Sequence, residues 1–510
     1  MFSYRSVLLL LSAAVLSACA VGPDYRRPDV PLAQSYMNRP TAATKATTPA
    51  DLSAWWEGFN DPLLTRYVST ALAQNLDLAQ AAARIDQARA RLGGANAALL
   101  PSATVSASAA RAYQSIDTPE GRLLNATPNY QRRGSEYETD LEAGWEIDIF
   151  GGLRRQREAA LADYSATQAS AVATRLAVAA QTADIYVAIR GLQARLDIAN
   201  RQVKTQQDLL SRVKLLFASG AAADYQVQQA QGTLDQVQAT IPILTASLDA
   251  AMNSLDVMLG TPPGTHRAEL AVAAPIPAVP PISDMGTPAD LLQRRPDLIA
   301  AERHLAATNA QIGAAVSEYY PKLSLSAMLG SATAVSAGTL FTGGATQAAG
   351  LLGLRWRLFD FGRIDAEVGE AKGKEAEALA GYRLAVLRAT EDVENSLSSL
   401  VNRQAQTTTL EHAVSSLSKA KDASTAAYSS GAASFIDVLH ADETLLHASD
   451  ASVQAQTESA RAAIATFKAL GGGWNAPMHP QQLTSAVIDA FRRPPIDAPD
   501  DVAVIAPETH

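Results

Sequence analysis

The sequence repeats itself at long range, and no other feature restricts its possible folds as much. Residues 217–229 and 428–440 each interrupt a long helical pattern with a glycine and a short polar hinge, and Gly431 − Gly220 = 211. The same spacing of 211 separates Trp356 from Trp145, Gly362 from Gly151 and Gly471 from Gly260. Upstream the spacing is 220, from Pro101 to Pro321 and from Asp77 to Asp297. A strand end, a long helix, a turn and a return helix therefore occur twice. The change of spacing falls between the Pro and the Trp of each repeat, where a surface loop varies in length without disturbing helices.

The strand that leads into each long helix is the most informative part of the repeat. Tyr137, Thr139, Leu141, Ala143, Trp145, Ile147 and Ile149 alternate with Glu138, Asp140, Glu142, Gly144, Glu146 and Asp148. A period of two puts one face in an apolar medium and a row of carboxylates on the other. In the second repeat Leu323, Leu325, Ala327 and Leu329 alternate with Ser324, Ser326, Met328 and Gly330. Leu352, Leu354, Trp356 and Leu358 alternate with Gly353, Arg355, Arg357 and Phe359. Arg355 and Arg357 are thereby expected on the same wet face as Glu138, Asp140, Glu142, Glu146 and Asp148. A soluble sandwich strand shows the same alternation; an exported chain and strands of this length favour a transmembrane barrel with a wet interior.

The tract from Leu153 to Ala218 lacks proline, and at 1.5 Å per residue it predicts a helix of roughly 100 Å. Ile189, Leu196, Val203, Leu210 and Phe217 keep a seven-residue seam beside Ile185, Leu192, Ala199, Gln206 and Val213, which implies coiled-coil packing. The return helix carries Leu234, Val237, Ile241, Leu244, Leu248, Ala251, Leu255 and Met258, with Pro242 expected to bend it. Its counterpart has a seam of small residues, among them Ser452, Ala455, Ser459 and Ala462, suited to close approach of a neighbour. The second long helix, about 363–429, keeps its seam less well, because Lys421 and Arg403 fall on it.

The first residues hold one cation, Arg5, then an apolar run and Leu16-Ser-Ala-Cys19, the pattern of an export signal. Without it the net charge passes from −9 to −10. Apart from this start, no apolar run reads as long enough to span a bilayer as a helix. Cys19 is the only cysteine, so no intramolecular disulfide forms. The expected organisation is a signal at 1–18, an extended segment at 19–62, a first repeat at 63–271, a Pro-rich linker at 272–288, a second repeat at 289–474 and a C-terminal segment at 475–510. A short helix around 485–491 and a disordered end are expected in the last of these.

Chemistry-bearing motifs are scarce. The seven histidines form no zinc-enzyme spacing, and no nucleophile elbow or phosphate-cradling loop occurs. His440 and His447, two helical turns apart beside Asp437, Asp442 and Glu443, do not readily share one metal. No metal, cofactor, enzymatic step or nucleic-acid partner is expected.

Several segments resemble a known family. Cys19 with Val21-Gly-Pro-Asp-Tyr-Arg-Arg-Pro28, Trp55-Trp56 with Phe59 and Asp61-Pro-Leu63, and Leu291-Leu-Gln-Arg-Arg-Pro-Asp297 leading through Glu302 and Ile312-Gly313 to Tyr319-Tyr-Pro321 are similar to the NodT branch of the TolC superfamily. These are outer-membrane lipoprotein channels of tripartite efflux systems. The resemblance implies a mainly α fold with a small β part, in which a homotrimer closes a barrel of four strands per chain, continued by a periplasmic helical barrel. It also implies lipidation at Cys19, against ordinary cleavage nearby. The partners it implies are a periplasmic adaptor and an inner-membrane pump, commonly of the resistance-nodulation-division type. The runner-up is a periplasmic adaptor lipoprotein, which needs one hairpin between soluble β domains.

By the same resemblance the hinges at Gly220 and Gly431 are the periplasmic tips, and Asp437 stands where relatives carry an acidic ring. His440 replaces a second acidic position of some relatives. From the residues alone Asp437 also reads as a carboxylate interacting with a helix dipole, and the two roles can coincide; Tyr428 either helps close the tip or, equally, extends the helical core. Asp437 has Gln226 as its counterpart (437 − 211 = 226), so only the second hinge offers a carboxylate.

Overall fold

A computed structural model describes residues 20–38, 51–282 and 285–475. Cys19 and the helix expected around 485–491 lie outside the described residues. The elements are α1 (Pro62–Gln74), α2 (Leu76–Ala97), β1 (Ser102–Tyr113), α3 (Pro119–Asn125), β2 (Arg133–Ile147), α4 (Gly152–Ala218), α5 (Asp224–Met258), α6 (Pro296–Ser317), β3 (Lys322–Thr333), β4 (Thr346–Arg355), α7 (Arg363–Ser429) and α8 (Phe435–Ala469). The long helices α4 and α7 both have 67 residues, and the return helices α5 and α8 both have 35. The duplication read from the spacings is thus a duplication of elements. Helix α5 continues through Pro242. Part of α4 is as apolar as a membrane-crossing helix, unlike the expectation above, but more than half of that stretch is buried inside the protein.

Contacts divide the chain into two units. Of the described residues, one unit holds 20–28, Asp86–Tyr164 and Glu302–Gly381; the other holds those within 29–85, 165–301 and 382–475. Each unit takes material from both repeats, so the repeat is a unit of sequence and not of packing.

The first unit contains one antiparallel sheet in the order β1-β2-β3-β4, which leaves β1 and β4 as its edges. Its register is itself duplicated: Ser102 pairs with Gly144, and Lys322 pairs with Arg355, 220 and 211 residues further on. The turns into the strands repeat as well. Trp145 donates its indole N–H to the Leu99 carbonyl at 3.0 Å, and Trp356 donates to the Tyr319 carbonyl at 2.9 Å. The loop between β1 and β2 contains α3, whose N-terminus is capped by the Thr118 hydroxyl accepting from Gly121 N–H at 3.1 Å.

A strap from Ala20 onward lies in this unit. Val21 N–H donates to the Phe150 carbonyl at 3.1 Å. The buried Arg155 guanidinium donates to the Val21 carbonyl and, at 2.8 Å, to the Asp24 carboxylate. Gly22 lies so close to the Gly313 backbone that a β-carbon on it would come within 2.3 Å, so no larger residue fits at position 22.

The second unit is built around Trp55, which stacks on Phe467 at 5.4 Å within a core that includes Phe59, Tyr67, Tyr186, Leu255 and Ile464. Residues 52–59 form a 3₁₀ helix, so the extended segment ends before them. Within this unit α4 and α8 are antiparallel neighbours. Asp184 pairs with Arg461, Gly191 meets Thr457, and Arg195 pairs with Asp450, stepping up one helix and down the other. Gly191 permits a close approach of the two helices: a β-carbon there would lie 2.3 Å from the Thr457 hydroxyl. The small-residue seam read for the second return helix is buried at Ser452, Ala455, Ser459, Ala462, Thr466 and Ala469.

Candidate functional site

Register decides which strand side chains share a face, because directly paired residues point the same way. Glu142 pairs with Thr104 and with Met328, Glu146 with Ser324, and Ser324 with Gly353. One face therefore carries Thr104, Ser106, Ser108, Glu138, Asp140, Glu142, Glu146, Ser324, Ser326, Gln347 and Arg355. The other carries Val105, Leu141, Trp145, Leu325, Leu329, Leu352 and Leu354, all exposed. A four-stranded sheet with an exposed apolar face and a polar face has no counterpart in a soluble core.

Two expected members are not on this face. β2 ends at Ile147, and Asp148 turns back to accept from Leu153 N–H at 3.1 Å and from Arg154 N–H at 2.9 Å. It satisfies free amides at the start of α4, where a carboxylate is favoured. β4 ends at Arg355, so Arg357 lies beyond the strand, paired with Glu318 at 2.6 Å and Glu367 at 3.0 Å. Partial burial raises the Glu318 carboxyl, but Lys322 and Arg357 outweigh it and hold the group below its ordinary value.

Among the remaining carboxylates Asp140 is buried. Gln347 donates to it at 2.9 Å and to Glu138 at 3.2 Å. Its paired residue is Gly330, where a β-carbon would sit 1.8 Å from an Asp140 oxygen. Glycine makes the recess that this carboxylate fills.

The two helix tips are near copies. Gly220 and Gly431 take φ of 76° and 78°. At each, the glycine N–H donates three residues back, to Phe217 and Tyr428 at 3.0 Å, and the next N–H donates five back, to Leu216 and Ala427 at 2.8 Å. This is the Schellman arrangement that a left-handed glycine permits. The following helix is closed from its third residue in both copies. Gln226 accepts from Ala223 N–H at 3.0 Å, and Asp437 accepts from Ser434 N–H at 2.9 Å. Only Ser434 can reciprocate: its hydroxyl accepts from Asp437 N–H at 3.2 Å and also donates to the Asp437 carboxylate at 2.8 Å.

Asp437 is thus a helix cap in the single chain. The Ser434 hydroxyl, then the Ser434 N–H, hold its carboxyl below the usual value. Tyr428 is half-buried with its ring 5.9 Å from Phe435, in a cluster with Leu210, Val213, Leu234 and Leu439, so it belongs to the tip's core. His440 is exposed and lies 4.0 Å from Glu443. Among the described residues no group of three or more His, Cys, Asp or Glu is arranged to hold a metal ion.

A further acid of the tip region joins both hairpins. Asp442 is 2 % exposed and accepts from Gln206 at 2.9 Å and from Gln202, both on α4, while Lys421 of α7 lies 2.7 Å away. The cation that breaks the α7 seam and the glutamine that breaks the α4 seam converge on it. Those two irregularities were the available signal.

Three comparisons bear on this arrangement. The family model described as "Outer membrane efflux protein" matches residues 67–261 and 287–472. Nodulation protein T of Rhizobium leguminosarum bv. trifolii is 32% identical over 90% of this chain and 96% of its own length. Outer membrane protein OprJ of Pseudomonas aeruginosa is 29% identical over 92% of this chain and 96% of its own length. The solved structure of the outer-membrane channel OprN superposes with a TM-score of 0.80 at 31% identity, covering 89% of this chain and 99% of that one.

Proposed function

The chain belongs to the outer membrane efflux protein family, and we propose that three copies form one passive conduit across the outer membrane, fed by a periplasmic adaptor and an inner-membrane pump. The observation that carries the reading is the sheet: four strands, two open edges, one apolar face and one polar face. Four strands cannot close a barrel, and unpaired edges cannot face lipid. Three copies supply twelve strands, with Glu138, Asp140, Glu142, Glu146 and Arg355 toward the water-filled interior. Two helical hairpins per chain, instead of one, argue against the adaptor reading.

In this proposal the hairpins continue the conduit into the periplasm, and the tips at Gly220 and Gly431 form its mouth. Asp437 recurs three times around the axis there, with His440 beside it, where carboxylates attract cations and repel one another. Lipid on Cys19 adds membrane affinity of about 0.8 kcal/mol per buried CH₂. No catalytic step is assigned. The test is detergent extraction of the membrane fraction: a band that shifts from trimer to monomer on heating supports the conduit, and a soluble monomer after Cys19→Ala overturns it.

A further inference from the structure

The apolar face of the sheet ends in cations, and only on one hairpin. Following the β1–β2 register onward from Val105↔Leu141 pairs Ala109 with Tyr137, Arg111 with Ser135 and Tyr113 with Arg133. Both arginines therefore stand on the apolar face and not on the polar one. They flank the hairpin loop, at the end of the strands away from the long helices. In the conduit reading, on which this inference rests, that face meets lipid and that end meets the cell exterior. We infer that Arg111, Arg132 and Arg133, with Tyr113, form a site for the phosphate groups of lipids in the outer leaflet of the membrane.

Their height on the sheet fits this ligand. Trp145 marks the other end of the same face, with its indole N–H bonded to the Leu99 carbonyl. Arg133 is twelve residues from it along β2 (145 − 133 = 12), and Ser135, level with Arg111, is ten (145 − 135 = 10). At about 3.4 Å per residue and a tilt near 40°, these separations give about 30 and 25 Å along the membrane normal. The apolar band of such barrels is about 25 Å tall, so Arg111 reaches its edge and Arg133 passes just beyond it. Headgroup phosphates begin at that level.

The cations are also uncommitted within the protein. Among the described residues no carboxylate, Asp117 and Glu120 of the hairpin loop included, forms an ion pair with Arg111, Arg132 or Arg133. Glu136 and Glu138 belong to the opposite face, opposite Ala110 and Ser108. The second hairpin supplies no acid either, because residues 323–354 carry no charge at all. Arg132 and Arg133 instead lie over the exposed Tyr113 ring, 4.4 and 5.7 Å from its centre, and Arg132 also donates to the Gln114 carbonyl at 3.2 Å. An aromatic ring at the interface with guanidinium groups held above it leaves their planar donor edges for phosphate oxygens.

The test uses the purified full-chain oligomer in mild detergent and reads the temperature at which its gel band converts to monomer. It is measured alone, and with diphosphoryl lipid A, monophosphoryl lipid A or inorganic phosphate at matched phosphate concentration. Diphosphoryl lipid A should raise the transition by several degrees, monophosphoryl lipid A by less, and inorganic phosphate not at all. R111Q/R133Q should lose the rise while keeping the lipid-free transition; R133Q alone should lose part of it, and R111K/R133K should retain most of it. An equal rise in R111Q/R133Q, or no rise in the wild type, overturns the site. A rise with inorganic phosphate as large as with lipid A overturns the lipid as its ligand. These results leave the conduit in place, whereas a chain that forms no heat-modifiable oligomer removes the conduit reading and this inference with it.

Discussion

Lys421 holds its ammonium 2.7 Å from the carboxylate of Asp442, an acid only 2 % exposed, five residues beyond Asp437. Two glutamines of α4 also donate to that carboxylate, so this one residue ties both hairpins of the chain together near their tips. Lys421→Met leaves a buried carboxylate without its cation, a loss of about 3–5 kcal/mol. Hydrogen exchange at amides 428–446 should accelerate accordingly. Lys421→Met with Asp442→Leu should recover part of the protection, because the stranded charge is gone. Unchanged exchange in the single variant would show that the pair holds nothing.

Gly191→Ala should destabilise the α4–α8 crossing by about 1–3 kcal/mol, since the new methyl meets the Thr457 side chain at 2.3 Å. Thr457→Ala removes the hydroxyl and methyl that obstruct it. A double-mutant cycle followed by denaturant midpoint should therefore give a favourable coupling. Strict additivity would mean that the helices separate freely at this point.

Gly330→Ala places a β-carbon 1.8 Å from an Asp140 oxygen and 2.6 Å from the Thr139 carbonyl. The first contact can be relieved by Asp140→Ala, but the second is backbone. The expected result is a reduced fraction of heat-resistant oligomer in Gly330→Ala, incompletely restored in the double variant. Full restoration would place the obstruction in the Asp140 side chain alone.

Asp437 has a depressed carboxyl because the Ser434 hydroxyl and N–H donate to its charged form. A group depressed on folding contributes above its unfolded pKa and loses that contribution as pH falls through the folded value. Protection of the first turn of α8 should thus be constant from neutral pH down to the ordinary carboxylate range and decline only in stronger acid. Asp437→Ala should lower it at neutral pH and abolish the decline in stronger acid, because the capping box loses its carboxylate. Protection in the wild type that falls already between pH 6 and 5 would contradict this sign and point to carboxylates raising one another.

Much of this architecture was readable from one sequence because duplication converts weak signals into paired ones. A lone Gly220 or Gly431 is a poor helix stop; at a fixed spacing, each followed by a polar hinge, they locate both tips, and both are left-handed caps. The strand alternation placed Glu138 through Glu146 on one face, but it ran too far at each end. Asp148 and Arg357 continue the period of two in the sequence while their backbone has left the sheet, and local alternation cannot register where ladder hydrogen bonds cease. Asp442 was illegible for a different reason: its burial depends on three helices meeting, and only the unexplained Lys421 and Gln206 on apolar seams hinted at it.

Conduction through the assembled oligomer is the property on which the proposed function rests. Purified, heat-modifiable protein reconstituted into planar bilayers should give discrete single-channel steps, and Asp437→Ala should raise the unit conductance by removing one carboxylate per chain at the tip. An oligomer that passes no discrete current, in wild type and Asp437→Ala alike, would contradict it.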